Sequence, residues 1–138
     1  SVYGLPASGV LSSPNYPRNY PNNILKNYKI QVDQGLQLIL HFTAFATEAN
    51  AKCLYDYLNI TDGDGTTLMG KACGTSLPTD ITSVSSTVDL VFRADRSNTA
   101  KGWRVSWRAV RAGVSFQKWK NQGPQIGEVF ESAKSNNN

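Results

Sequence analysis

The sequence predicts an all-β fold, an antiparallel β-sandwich. Apolar residues recur at spacing two in five short segments of the 138-residue chain, and strong turn formers separate those segments, with hardly any helical periodicity between them. In "NYKIQV" (27–32), Tyr28, Ile30 and Val32 alternate with polar neighbours, as in a strand with one face in water. "LQLILHF" (36–42) is more continuously apolar, which suits a central sandwich strand. "LYDYLNI" (54–60) sets Leu54, Asp56, Leu58 and Ile60 on one face and Tyr55, Tyr57 and Asn59 on the other. An acid on that apolar face, near the start of the strand, predicts a position at the sandwich rim. "SSTVDLVFRA" (85–94) supplies Val88, Leu90 and Phe92 to the core. "GWRVSWRAV" (102–110) supplies Trp103, Val105, Trp107 and Ala109, a spacing that makes both tryptophans core residues rather than a sugar-stacking platform.

The breakers are "SSPNYPRNYPNN" (12–23), "DGDG" (62–65) and "SLPTD" (76–80). The first must run over the surface, so Tyr16 and Tyr20 either pack down onto the sandwich or face a partner. After Arg111 the composition shifts towards glycine, proline and a terminal run of asparagines. The expected organisation is a domain over 1–112 and a C-terminal extension over 113–138. In that extension a helical turn is expected at 128–134, and Phe116 and Trp119 are the expected docking residues.

At 40% hydrophobic and 10% aromatic, the chain can bury a real core and does not read as disordered. Its length fits one domain. No apolar run approaches the roughly 20 residues of a membrane-spanning helix, so membrane insertion is not expected. A net charge of +4 is compatible with anionic partners but does not call for nucleic acid.

Cys53 and Cys73 frame a turn-rich segment, and Asn59-Ile60-Thr61 is an N-glycosylation sequon. Together they favour an oxidising, extracellular setting, and a start at Ser1 without a leader-like stretch suits a mature secreted chain. If bridged, a loop of about 20 residues would contribute on the order of 3 kcal/mol by restricting the unfolded chain.

Catalysis is not expected. No H-E-x-x-H, P-loop or G-x-S-x-G pattern occurs. The one histidine, His41, lies inside an apolar strand and reads as packed or at the rim, and cysteines that look paired are poor nucleophiles. The "DGDG" run does not continue as an EF-hand, because Cys73 stands where the twelfth-position glutamate would be. Asp62 and Asp64 read as hairpin-turn residues. Arg104 and Arg108 share one face of the last strand and are followed by Arg111, Lys118 and Lys120. That series supports either a charged, solvated face or a site for heparin-like sulfated glycans.

The ordered set "SGVLSSPNYPRNYPNN", "NYKIQV", "LILHFTAFATE", "CLYDYLNITDG", "KACG", "VDLVFRAD" and "GWRVSW", spanning about residues 4 to 110, resembles a CUB domain. The resemblance implies an extracellular, jelly-roll-like β-sandwich. One departure stands out. No cysteine precedes residue 53, and Lys26 occupies the place of the second cysteine in the family's first disulfide, so only a Cys53–Cys73 bridge remains. The first CUB modules of complement initiating proteases are similar in this omission and bind calcium.

Carried over by position, that likeness implies a Ca2+ site held by Glu48, Asp56 and Asp95. Ser97 would offer a backbone carbonyl, Asn98 a side-chain or water-mediated contact, and Tyr20 a hydrogen bond to the acids. It further implies an acidic rim, formed by Glu48, Asp56, Asp95 and Tyr20 with Ser97 nearby, that receives a lysine or arginine of an extracellular or matrix protein. The chemistry is consistent in itself: calcium takes six to eight oxygens, and converging carboxylates repel unless a cation sits among them. A single ion-pair anchor gives modest affinity, so such recognition is expected to be multivalent.

Overall fold

The computed structural model describes residues 2–3 and 7–111. Among them the strands are β1 (Val2–Tyr3), β2 (Ser8–Ser12), β3 (Ile24–Val32), β4 (Leu36–Ala46), β5 (Tyr57–Asp62), β6 (Thr67–Ala72), β7 (Ile81–Thr82), β8 (Thr87–Ala94) and β9 (Gly102–Arg111). One sheet has the order β1-β3-β8-β5-β6 and the other β2-β9-β4-β7. All pairings are antiparallel except β1 with β3. The five segments with clear alternation are the inner strands β3, β4, β5, β8 and β9. The strands without a periodic signal are short and lie at sheet edges, where one neighbour is missing and packing dictates less of the sequence.

The inward residues of the two sheets meet as the alternation requires. Leu38, Leu40 and Phe42 of β4 and Trp103, Val105, Trp107 and Ala109 of β9 face Leu58, Ile60, Val88, Leu90 and Phe92. Trp103 bridges the layers, edge-on to Phe92 at 5.8 Å and to Tyr28 at 5.4 Å. Each such side chain contributes about 1.5–3 kcal/mol by leaving water.

Three sequence expectations are corrected. Leu54 is 54% exposed, because the strand begins at Tyr57 and residue 54 precedes the alternation expected to include it. Asp62 does more than turn a hairpin. It is buried at the end of β5, and its carboxylate accepts hydrogen bonds from the backbone amides of Val84 and Ser85, the Ser85 hydroxyl and the Asp64 amide. Burial pushes that carboxyl up, but the donors outweigh it and hold it below the usual aspartate range. Arg108 lies between Ser8 and Ile39 on the strands flanking β9, yet it is only 4% exposed. A cation so enclosed is not part of a charged outer face.

His41 sits half-exposed on β4 with Nδ1 2.7 Å from Asp80 Oδ1. The expected extension over 113–138, with its turn at 128–134, docking residues Phe116 and Trp119, and Lys118 and Lys120, lies outside the described residues.

Candidate metal centre

One end of the sandwich is closed by loops, two of which deliver three acids: the β4–β5 loop carries Glu48 and Asp56, and the loop after β8 carries Asp95. Glu48 follows β4, Asp56 immediately precedes β5, and Asp95 immediately follows β8. One ligand oxygen from each can be chosen so that all three lie within 4.8 Å of one another. These are the three carboxylates expected to converge, and the fold brings them together.

The loop from 47 to 56 is held at several points. Thr47 exchanges hydrogen bonds with Gly74: the Thr47 amide donates to the Gly74 carbonyl at 2.9 Å, and the Gly74 amide donates to Thr47 Oγ1 at 3.1 Å. The Cys53–Cys73 disulfide, with Cα atoms 5.5 Å apart, pins the same two segments. Asn50 Oδ1 accepts from the amides of Lys52 and Leu54, each at 3.1 Å. Glu48 and Asp56 are therefore presented from a braced loop rather than a free one.

The opposite wall is the 13–23 loop. Its Tyr20 amide donates to the Ala100 carbonyl at 3.1 Å, and its Asn23 amide donates to the Asp95 carbonyl at 2.7 Å. Tyr20 itself packs down, 1% exposed and edge-on to Phe92 at 5.0 Å. Of the two alternatives for Tyr20, burial is the one realised, whereas Tyr16 is only half-buried. Gly102 makes this depth possible. Its φ is +93°, and a Cβ there would stand 1.9 Å from Ser13 Oγ and 3.4 Å from Tyr20 Cδ2. The sequence offered one signal for it, a glycine opening an aromatic strand; nothing in the sequence marked Thr47, Asn50 or Ser13.

Asp56 is the centre of the hydrogen-bond network. Its Oδ2 accepts from the Tyr20 hydroxyl at 2.6 Å, and its Oδ1 from the Asp95 amide at 2.9 Å. The Glu48 amide donates to the Tyr20 hydroxyl oxygen at 3.2 Å. Asn98, in the left-handed region at φ 63°, donates from Nδ2 to Glu48 Oε2 at 3.0 Å, and the Ser97 amide donates to Asp95 Oδ1 at 3.3 Å. All six residues expected to build the site thus belong to one connected network.

Burial is the largest influence on Asp56 and raises its carboxyl above the usual range. The Tyr20 hydroxyl and Asp95 amide pull it back, and the nearby Asp95 charge raises it again. Desolvation, followed by the hydrogen bond to Asp56, pushes the Tyr20 hydroxyl above its ordinary value. Glu48 Oε1 is buried without a hydrogen-bond partner among the described residues. A carboxylate offers about four lone-pair sites, and Asp56 uses two of them on its donors, so each of its oxygens keeps one. Crowded carboxylates, an orphaned buried oxygen and spare lone pairs fit a hard divalent cation with oxygen ligands.

The remaining predicted positions lie elsewhere. Asn59 is half-buried on the outer face of the five-stranded sheet and donates from Nδ2 to the Met69 carbonyl at 3.0 Å. Arg104 is half-buried, with Nη1 3.3 Å from Thr43 Oγ1. With Arg108 enclosed, this strand does not present the paired arginines that a sulfated-glycan site would need.

Residues 5–107 match the family model described as CUB domain. Over 105 residues the chain is 36% identical to rat cubilin, covering 74% of this chain and 3% of cubilin. It is 34% identical over 128 residues to rat mannan-binding lectin serine protease 1, covering 91% of this chain and 17% of the protease. The chain therefore spans only a small part of these relatives.

Among solved structures, the CUB1-EGF-CUB2 region of human MASP-1/3 superposes with a TM-score of 0.72 at 32% identity, covering 80% of this chain and 41% of that one. The MASP-1 CUB2 domain bound to Ca2+ superposes at 0.70 and 32% identity, covering 78% and 96%. The full extracellular region of zebrafish Gpr126/Adgrg6 superposes at 0.72 and 26% identity, covering 81% and 15%.

Proposed function

Because the chain belongs to the CUB domain family, we propose that this extracellular, non-catalytic module recognises protein partners through a calcium-ordered acidic rim. The observation that carries the reading is the convergence of Glu48, Asp56 and Asp95, one of which, Glu48, has a buried oxygen without a hydrogen-bond partner among the described residues. The similarity to a CUB domain solved with Ca2+ supports the choice of ion.

Glu48, Asp56 and Asp95 would hold the ion, with the Ser97 carbonyl and Asn98 completing its shell. Bound calcium supplies the positive charge that keeps three loop ends together. Tyr20 orients Asp56 and spaces it from Glu48. Carboxylate oxygens that remain outward then face solvent at a fixed geometry and accept a lysine ammonium or arginine guanidinium of an extracellular or matrix protein. One such anchor is weak, so affinity would come from several modules or a repeating partner.

The test is calcium titration by calorimetry, with thermal melting in calcium and in chelator, on the native chain and Asp95→Ala. A ligand that binds only the folded state raises Tm with the logarithm of its free concentration. One ion bound by the native chain and none by Asp95→Ala is expected. No binding at millimolar calcium would remove the mechanism.

A further inference from the structure

The outer face of the five-stranded sheet carries an open groove of about 740 Å3 beside the acidic rim, and Asp95 lines it. Its floor is one cross-strand row, Leu25 of β3 opposite Arg93 of β8 opposite Tyr57 of β5. Tyr55 and Arg96 complete its walls. The apolar part is unusually accessible: Leu25 is 68% exposed and Tyr55 43%, and the exposed Leu54 adjoins Tyr55 in sequence. Half of the six large apolar side chains exposed among the described residues therefore gather at this one corner. Large apolar side chains left in water together mark a contact surface.

The groove is also built rather than loose. Arg93 Nη1 donates to the carbonyls of Leu54 at 3.0 Å and Tyr55 at 2.7 Å, fixing the segment that leads into Asp56. Arg96 is exposed, directly after Asp95 and two residues before Asn98. Charge thus changes sign across a short distance, from the carboxylates of the rim to the guanidinium of Arg96. A uniformly basic partner is attracted by the first and repelled by the second.

We propose that this groove is the second half of the recognition surface and takes a large apolar side chain from the segment whose lysine or arginine meets the rim. An acidic residue of that segment would face Arg96. The inference rests on the calcium-rim reading and narrows its partner to a mixed basic–apolar–acidic segment, excluding a polycation.

The test uses the whole chain, isotope-labelled, and two six-residue synthetic peptides. One carries a lysine, a phenylalanine two places later and then a glutamate; the other has serines in place of the last two. Binding is followed by chemical shifts in calcium and in chelator, for the native chain and Leu25→Ser, whose exposed position spares the fold. The expected result is that the first peptide moves amides at both rim and groove and binds about tenfold more tightly than the second, an advantage of about 1.4 kcal/mol that Leu25→Ser abolishes. Equal binding of both peptides at the rim alone would overturn the groove and leave the calcium-rim reading standing. Groove binding indifferent to chelator would overturn the rim reading and the coupling proposed here. No binding by either peptide at millimolar concentration would overturn both.

Discussion

The Tyr20 hydroxyl donates to Asp56 Oδ2 at 2.6 Å, and both residues are 1% exposed. A phenol at this depth, on a carboxylate with two other acids close by, acts as a spacer. It holds Asp56 while the Glu48 amide holds the phenol oxygen from the other side. Tyr20→Phe keeps the edge-on packing against Phe92 and deletes only the hydroxyl. Such a loss of a hydrogen bond to a charged group is expected to cost about 2 kcal/mol in stability and on the order of tenfold in calcium affinity. Calorimetry beside urea denaturation separates the two; unchanged calcium affinity would mean that Tyr20 only packs.

Asp62 predicts an acid limb to the stability curve. Its carboxyl is held below the usual range, so its contribution is fully present above about pH 3.9, the unfolded value, and is lost as pH falls through the lower folded value. Asp62→Ala should cost about 3 kcal/mol by leaving the Val84 and Ser85 amides without their acceptor. It should also flatten the fall in Tm below pH 4. An equally steep fall in the variant would assign the acid limb to other groups.

The disulfide braces the loop that carries Glu48 and Asp56. Replacing Cys53 and Cys73 together by serine should lower stability by about 3 kcal/mol and Tm on the order of 15 °C. Calcium should bind more weakly as well, because the loop ends gain freedom. A variant that melts lower yet binds calcium unchanged would show that the Thr47–Gly74 contacts suffice.

Gly102 and Gly65 have nearly the same backbone, φ +93° and +94°, but different surroundings. A Cβ at residue 65 meets nothing within 4 Å, whereas at residue 102 it runs into Ser13. Gly65→Ala should therefore cost about 1 kcal/mol of conformational strain, and Gly102→Ala on the order of 3 kcal/mol, since strain and collision combine there. Denaturation midpoints decide it, and equal costs would mean that Ser13 moves aside freely.

Asn59 is proposed as a glycan attachment point, since Asn59-Ile60-Thr61 is the sequence's one N-x-S/T sequon. Produced through a mammalian secretory route, the chain should lose the mass of one glycan on enzymatic deglycosylation, and Thr61→Ala should show no such loss. An unmodified native chain would leave the Asn59 amide wholly to its bond with Met69.

Alternation at spacing two made the inner strands legible, most plainly in β5 and β8, which bury every second residue, whereas β4 and β9 also bury Ile39, Arg108 and Val110 on their other face. It also placed Tyr57 and Asn59 outward and Leu58 and Ile60 inward correctly. Periodicity carries no information on where a strand begins, and so it gives Leu54 a face that the fold does not. Nor does it record what an outward face meets, which is why Arg108 reads as a surface cation although the fold encloses it. Asp56 was legible by itself as an acid on an apolar face, with Glu48 close by in sequence, but Asp95 joined them only through the family pattern, because it lies 39 residues beyond Asp56. The Asp62 network was hidden for the same reason: its partners Val84 and Ser85 lie more than twenty residues away.

The loop origins of the acids have a mechanical consequence. Glu48 hangs from the four-stranded sheet, while Asp56 and Asp95 hang from the five-stranded one. A cation shared by them is a rivet between the layers at the end where only loops close the sandwich. Tension that peels the layers apart from that end has to break its coordination bonds first. The yield force of such a domain would then be set by the calcium outside the cell, and a tether strung from several of them would stiffen as calcium rises.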